Sequence, residues 1–218
     1  MAYSFPLSLA DFWDILPIRE LTFDLPEAVE ISETGGGEIL TADLGTRLWQ
    51  GEVVLGDMTP DEAADVSAML DIVRRAGGSF FATDRARPWP RSDWGGSVLG
   101  AASVTMHSVA GTSREMRLQG LPVGYQLRRG DRLAYSYGTN PVRYALHRVA
   151  SPATADEAGV TPLFEVSPNL RPGWPDLAAV TLVKPACKAV IVPGSVQPGR
   201  RRARLTVGSS FRFQQTLR

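Results

Sequence analysis

Leu205-Thr-Val-Gly-Ser-Ser-Phe-Arg-Phe-Gln-Gln-Thr-Leu-Arg218 closes the chain, and its reading decides the fold. Leu205 and Val207 alternate with polar residues, as do Phe211 and Phe213, the period-two signature of a half-buried strand. A strand at the end of a chain needs neighbours to pair its backbone groups. Ala189 to Val192 forms another strand upstream, and Pro193-Gly194 and Pro198-Gly199 mark turns between the two. The segment before residue 90 holds too few strands to close a core alone. The terminal strands are therefore expected to complete it, with the middle of the chain inserted between the two halves.

In the first segment, Leu21, Phe23 and Leu25 alternate with Glu20, Thr22 and Asp24 until Pro26 ends the run. Ala28 to Ser32 reads as a second short strand, and Gly35-Gly36-Gly37 as a turn. Residues 47–55, which include Trp49, read as a further strand with Gly51 as a candidate bulge. One helix is well signalled over 60–76. Thr59 caps it, Pro60 stands at its first position, and Glu62 completes a capping box. Val66, Met69, Leu70 and Val73 follow at helical spacing, Arg74 and Arg75 suit the last turn, and Gly77 is a stop. Ser79 to Thr83 reads as a strand.

Residues 84–97, DRARPWPRSDWGGS, break this pattern with Pro, Gly, Arg and Trp. They read as a crossover between modules, with Trp89 and Trp94 either covering the seam or anchoring an interface. From 98 to 185 the text is all β, with short candidate strands separated by Gly or Pro signals, which suits a small barrel or sandwich. The expected class is mainly β with one α-helix: a β-sandwich-like domain from residues 1–94 and 186–218, and an inserted OB-like β-barrel at 95–185.

Lys+Arg and Asp+Glu are 23 each over 218 residues, so the balance argues against a protein dedicated to nucleic acid. The single cysteine, Cys187, cannot form an intrachain disulfide and reads as a buried thiol at the start of a strand. No apolar run is long enough for a membrane span, and residues 1–20 lack the basic start of a cleavable signal. The expectation is a soluble protein with no membrane partner.

The search for chemistry is mostly negative. There is no GxGxxG, no Walker loop, no GxSxG elbow, and no HxxH, HExxH or CxxC pair. His107 and His147 stand forty residues apart in strand patterns, and His147 would face opposite to its apolar neighbours. No catalytic residue, cofactor or metal is expected, and the chain reads as no enzyme. One cluster stands out: Arg200, Arg201, Arg202 and Arg204. It suits a solvated hairpin arm, a subunit contact with carboxylates, or phosphate binding.

Several short motifs resemble a known family. Leu127-Arg-Arg-Gly-Asp131, Tyr144-Ala-Leu-His-Arg-Val149, Thr154-Ala-Asp-Glu-Ala-Gly159, Phe164-Glu-Val-Ser-Pro168 and Asn169-Leu-Arg-Pro172 follow the order of a module in tail proteins of long-tailed bacteriophages and gene transfer agents. The first ninety residues resemble the ring-forming part of distal tail proteins, and the C-terminal strands fit a return into that part. The resemblance implies a homo-hexameric baseplate ring in the virion tail tip, assembled in the host cytoplasm. It implies the tail tube protein and the tail hub protein as partners, with the tape measure protein as a further candidate. It implies roles in host attachment and DNA ejection, no sequence-specific nucleic acid, and no catalytic site. Trp49, Trp89, Trp94 and the four arginines are the candidate interface residues. Two other classes stay open. A glycan-binding accessory module would use Tyr135, Tyr137 and Tyr144, and a small β-rich enzyme would need His107 or His147 beside a nucleophile.

Overall fold

A computed structural model describes residues 3–218. Among these residues, alternating apolar positions and frequent turn signals give seventeen strands and one α-helix. The N-terminal part holds a π-helical turn (Leu9–Trp13), β1 (Ile18–Leu21), β2 (Val29–Glu33), β3 (Ile39–Asp43), β4 (Gln50–Leu55), α1 (Pro60–Val73) and β5 (Phe80–Ala82). The middle holds β6 (Thr105–Val109), β7 (Glu115–Gln119), β8 (Gln126–Leu127), β9 (Arg132–Tyr137), β10 (Arg143–Val149), β11 (Ala153–Thr154), β12 (Phe164–Ser167) and β13 (Val180–Thr181). The chain ends with β14 (Cys187–Ile191), β15 (Arg200–Arg202), β16 (Leu205–Val207) and β17 (Ser210–Gln215).

Strands from both ends of the chain build one five-stranded sheet, ordered β1-β4-β17-β14-β5. β17 pairs antiparallel with β4, setting Phe211 opposite Val53 and Phe213 opposite Gly51, and with β14 on its other edge. Because side chains alternate along a strand, this register sends Phe211 and Phe213 inward together with Val53 and Leu55. The π-helical turn delivers Phe12 and Trp13 onto the same core. The Trp13 ring stacks on Phe80 at 5.8 Å and meets Phe213 edge-on at 5.4 Å.

The helix carries its capping box: Thr59 accepts from the Glu62 amide while the Glu62 carboxylate accepts from the Thr59 amide. Those bonds hold the Glu62 carboxyl below its ordinary range. The helix ends at Val73, short of residue 76, because Arg74 takes the cap position and the chain folds back tightly at Gly78. Leu70 and Val73 are buried; Val66 and Met69 pack at the rim of the same core.

The middle of the chain forms a six-stranded sheet, ordered β13-β9-β10-β12-β7-β6. Its first and last strands nearly meet. The Met106 amide donates to the Ala178 carbonyl and the Val180 amide to the Val104 carbonyl, both at 2.9 Å. The sheet therefore curls into a nearly closed barrel with its own apolar interior. The fold is mainly β, with curled sheets and this barrel-like element.

Gly51 is not a bulge. Its pairing with Phe213 is in regular register, and the irregularity lies in β1 between Ile18 and Glu20. Glycine is needed at 51 because a Cβ there would lie 2.0 Å from the Thr22 carbonyl oxygen and 2.7 Å from the Phe213 ring.

Candidate interaction surfaces

The first of the candidate interface residues, Trp49, is not a surface contact. It is fully buried where the five-stranded sheet meets the outer face of β9 and β10. Its indole Nε1–H donates to the Leu146 carbonyl at 2.7 Å. The guanidinium carbons of Arg132 and Arg148 lie 5.5 and 5.0 Å from its ring centroid, a cation–π arrangement on both counts. Gln215 fastens the same place: its Oε1 accepts from the Trp49 amide and its Nε2 donates to the Tyr144 carbonyl. Phe81 and Tyr144 meet edge-on across the join at 4.8 Å.

The charge in this seam is partly balanced. Arg132 pairs with Asp84, both nearly buried. Burial pushes the Arg148 guanidinium below its ordinary value, and the like charge of Arg132 adds to that, while Asp24 and Asp84 oppose it. Sequence reading missed both arginines. The available signal is that β9 and β10 carry apolar residues at successive positions, Leu133-Ala134 and Ala145-Leu146, so both strand faces are buried.

The crossover 84–97 is tied down at several points. Asp93 is buried and accepts from the Val98 and Leu99 amides at 2.8 and 2.9 Å and from the Tyr125 hydroxyl at 3.1 Å. Burial and this carboxylate drive the Tyr125 phenol well above its ordinary range. Asp131, also buried, accepts from the Arg91 and Arg128 amides. Trp89 is half-buried, and Trp94 packs edge-on against it at 5.1 Å with 83% of its surface exposed. Trp94 is the one tryptophan of the three that presents a free face.

The barrel interior holds His147. Both faces of β10 are buried, so the residue opposite Leu146 points into a core rather than into water. The ring stacks on Tyr135 at 5.5 Å and 8°. Its Nδ1 stands 2.8 Å from the Pro168 carbonyl, which can only accept, so Nδ1 carries the proton and Nε2 is left buried without a partner. Desolvation lowers its pKa to about 4. Tyr135 and Tyr137 are buried beside it and Tyr144 is half-buried in the seam, so these three do not form an exposed sugar platform. His107 is exposed, with Ser108 as its side-chain neighbour. Cys187 is fully buried, and desolvation raises its thiol to about 12, the inert state of a structural cysteine. Among the described residues, no group of three His, Cys, Asp or Glu side chains converges as metal ligands.

Two hairpins lie at opposite ends of the five-stranded sheet. The basic one is β15–β16, in which Arg200, Arg201, Arg202 and Arg204 are all exposed and Leu205 is 42% exposed. The other is β2–β3, whose second strand sequence reading missed, although the Gly35-Gly36-Gly37 turn followed by Ile39-Leu40 is a hairpin signal. Its base is pinned by Arg47, whose guanidinium donates to the Leu25 and Pro26 carbonyls. Ile31, Ile39, Leu40 and Leu44 expose 54–67% of their surface.

Compared with models of known protein families and with curated protein sequences, the chain matches none.

Proposed function

We propose that this protein is a structural subunit of a siphophage-type tail tip. It forms a homo-hexameric ring that joins the tail tube to the hub and serves host attachment and DNA delivery, without catalysis of its own. The observation that carries the reading is the uncovered β2–β3 hairpin. Four large aliphatic side chains that stay more than half exposed on one projecting arm mark a surface made for another protein.

The motif residues behind the family resemblance support a scaffold role. Gly130 turns with φ +94° so that Asp131 can bind the crossover. Asp156 accepts from the Ala158 and Val160 amides to form its turn. Gly159 lies so close to Leu121 that a Cβ would come within 2.3 Å of its carbonyl oxygen. Pro168 offers its carbonyl to His147. These residues build turns of the barrel-like module. Negative-stain imaging of the purified protein, alone and with tail tube protein, tests the reading. Six-fold rings that stack on tube ends are expected; particles without rotational symmetry and without tube binding would refute it.

A further inference from the structure

We infer that the β2–β3 hairpin of one copy docks on the β15–β16 hairpin of the next copy. This rests on the ring reading and names the contact that would build it. The two hairpins are opposite in charge. Between Pro26 and Thr46 the chain carries Glu27, Glu30, Glu33, Glu38 and Asp43, all exposed, and no Lys or Arg. From Lys188 to the C-terminus it carries no Asp or Glu, and four exposed arginines crowd into Arg200–Arg204. A chain of net charge zero thus places excess charge of each sign on separate exposed arms.

Within a chain the hairpins do not neutralise one another. The base of β2–β3 lies where Gln50 bridges Asp24, at the start of β4. The β15–β16 hairpin lies beyond the other end of β4, where Met58 bridges Thr206. An extended chain from Gln50 to Met58 spans roughly 25 Å. Among the described residues, none of the five acids and none of the four arginines makes an ion pair. Complementary patches at opposite ends of one subunit are what a head-to-tail contact requires, and such contacts close into rings when the rotation per subunit allows.

The apolar content agrees. The pairing sets Ile31 opposite Thr41 and Ile39 opposite Glu33, so Val29, Ile31 and Ile39 share one face, edged by Glu33 and Asp43. A lone two-stranded hairpin with such a face is marginal in water and an aggregation hazard. Covering it with Leu205 and the aliphatic stems of Arg200 and Arg202, which the pairing sets on one face of β15–β16, buries the face while the guanidinium groups reach the flanking carboxylates.

Sedimentation velocity of the full chain tests this with two charge reversals. One variant carries Arg201→Glu, Arg202→Glu and Arg204→Glu; the other carries Glu30→Arg, Glu33→Arg and Glu38→Arg. Each alone is expected to stay a single chain where the unmodified protein assembles. An equimolar mixture is expected to recover the assembled species, because each reversed arm then meets a complementary one. Circular dichroism checks that both variants fold. If a reversal fails to fold, the same three positions changed to Ser or Gln read the contact by loss. Assembly that survives both reversals, or a folded mixture that does not assemble, overturns this contact and leaves the ring reading standing. An unmodified protein that stays a single chain at every concentration overturns the ring reading and this contact together.

Discussion

Trp49→Phe separates a buried seam from a surface contact. The substitution keeps an aromatic ring in the core but removes the Nε1–H that the Leu146 carbonyl receives at 2.7 Å. A buried acceptor left without its donor costs about 1–3 kcal/mol. Arg148 and Arg132 lose the indole face, leaving Arg132 only the Phe23 ring, and each such interaction is worth about 0.5–1 kcal/mol, more when desolvated. Together these give about 3 kcal/mol, with the cavity left by the smaller ring adding to it. For a chain of this size each kcal/mol moves the midpoint by roughly 2–4 °C, so Tm should fall by roughly 6–12 °C. Thermal denaturation followed by circular dichroism, under conditions that keep the protein as single chains, measures this. A fall of less than about 2 °C, on the same scale, would refute the reasoning. Loss of assembly with an unchanged single-chain Tm would return Trp49 to the interface.

Three other outcomes follow from the same geometry. Gly51→Ala should destabilise by about 1–3 kcal/mol or more, since its methyl group must displace the Thr22 backbone or the Phe213 ring; urea unfolding reads it as a lower midpoint with an unchanged slope. His147 is held neutral in the folded state with a pKa of about 4 against 6.5, so the unfolded chain binds the extra proton first as pH falls. Stability should therefore decline between pH 6.5 and about 4, by about 3 kcal/mol from this residue, and His147→Phe should show a shallower decline in parallel urea titrations. Asp93→Ala strips acceptors from the Val98 and Leu99 amides and the Tyr125 hydroxyl and should cost about 3 kcal/mol, whereas Asp93→Asn keeps one acceptor and should cost less, both read by Tm.

Local signals were legible in the sequence. The alternation of Phe211 and Phe213 is the strand that pairs with β4, and Thr59 and Glu62 form the capping box their spacing announces. Positions whose environment comes from distant elements were not legible. Trp49 looks like an exposed anchor until β9 and β10 cover it, and the face opposite His147's apolar neighbours gives no sign of burial until its strand is seen to be covered on both sides. Gly51 reads as a bulge because nothing local reports that Thr22 and the Phe213 ring press against it. β3 escapes notice because its residues alternate weakly: both faces of that hairpin are exposed, so no core imposes a period. That same absence of a core makes the hairpin the candidate docking arm. The four arginines were found as a cluster, but their proposed counterpart depends on which end of the sheet each hairpin occupies.

Mass measurement of the assembled species tests the central claim most directly. Light scattering or native mass spectrometry at low salt, where surface charge pairs are least screened, should report six copies of the 23.6 kDa chain, about 142 kDa. Raising the salt should shift that species toward single chains. A protein that remains at 23.6 kDa throughout the micromolar range would contradict the account.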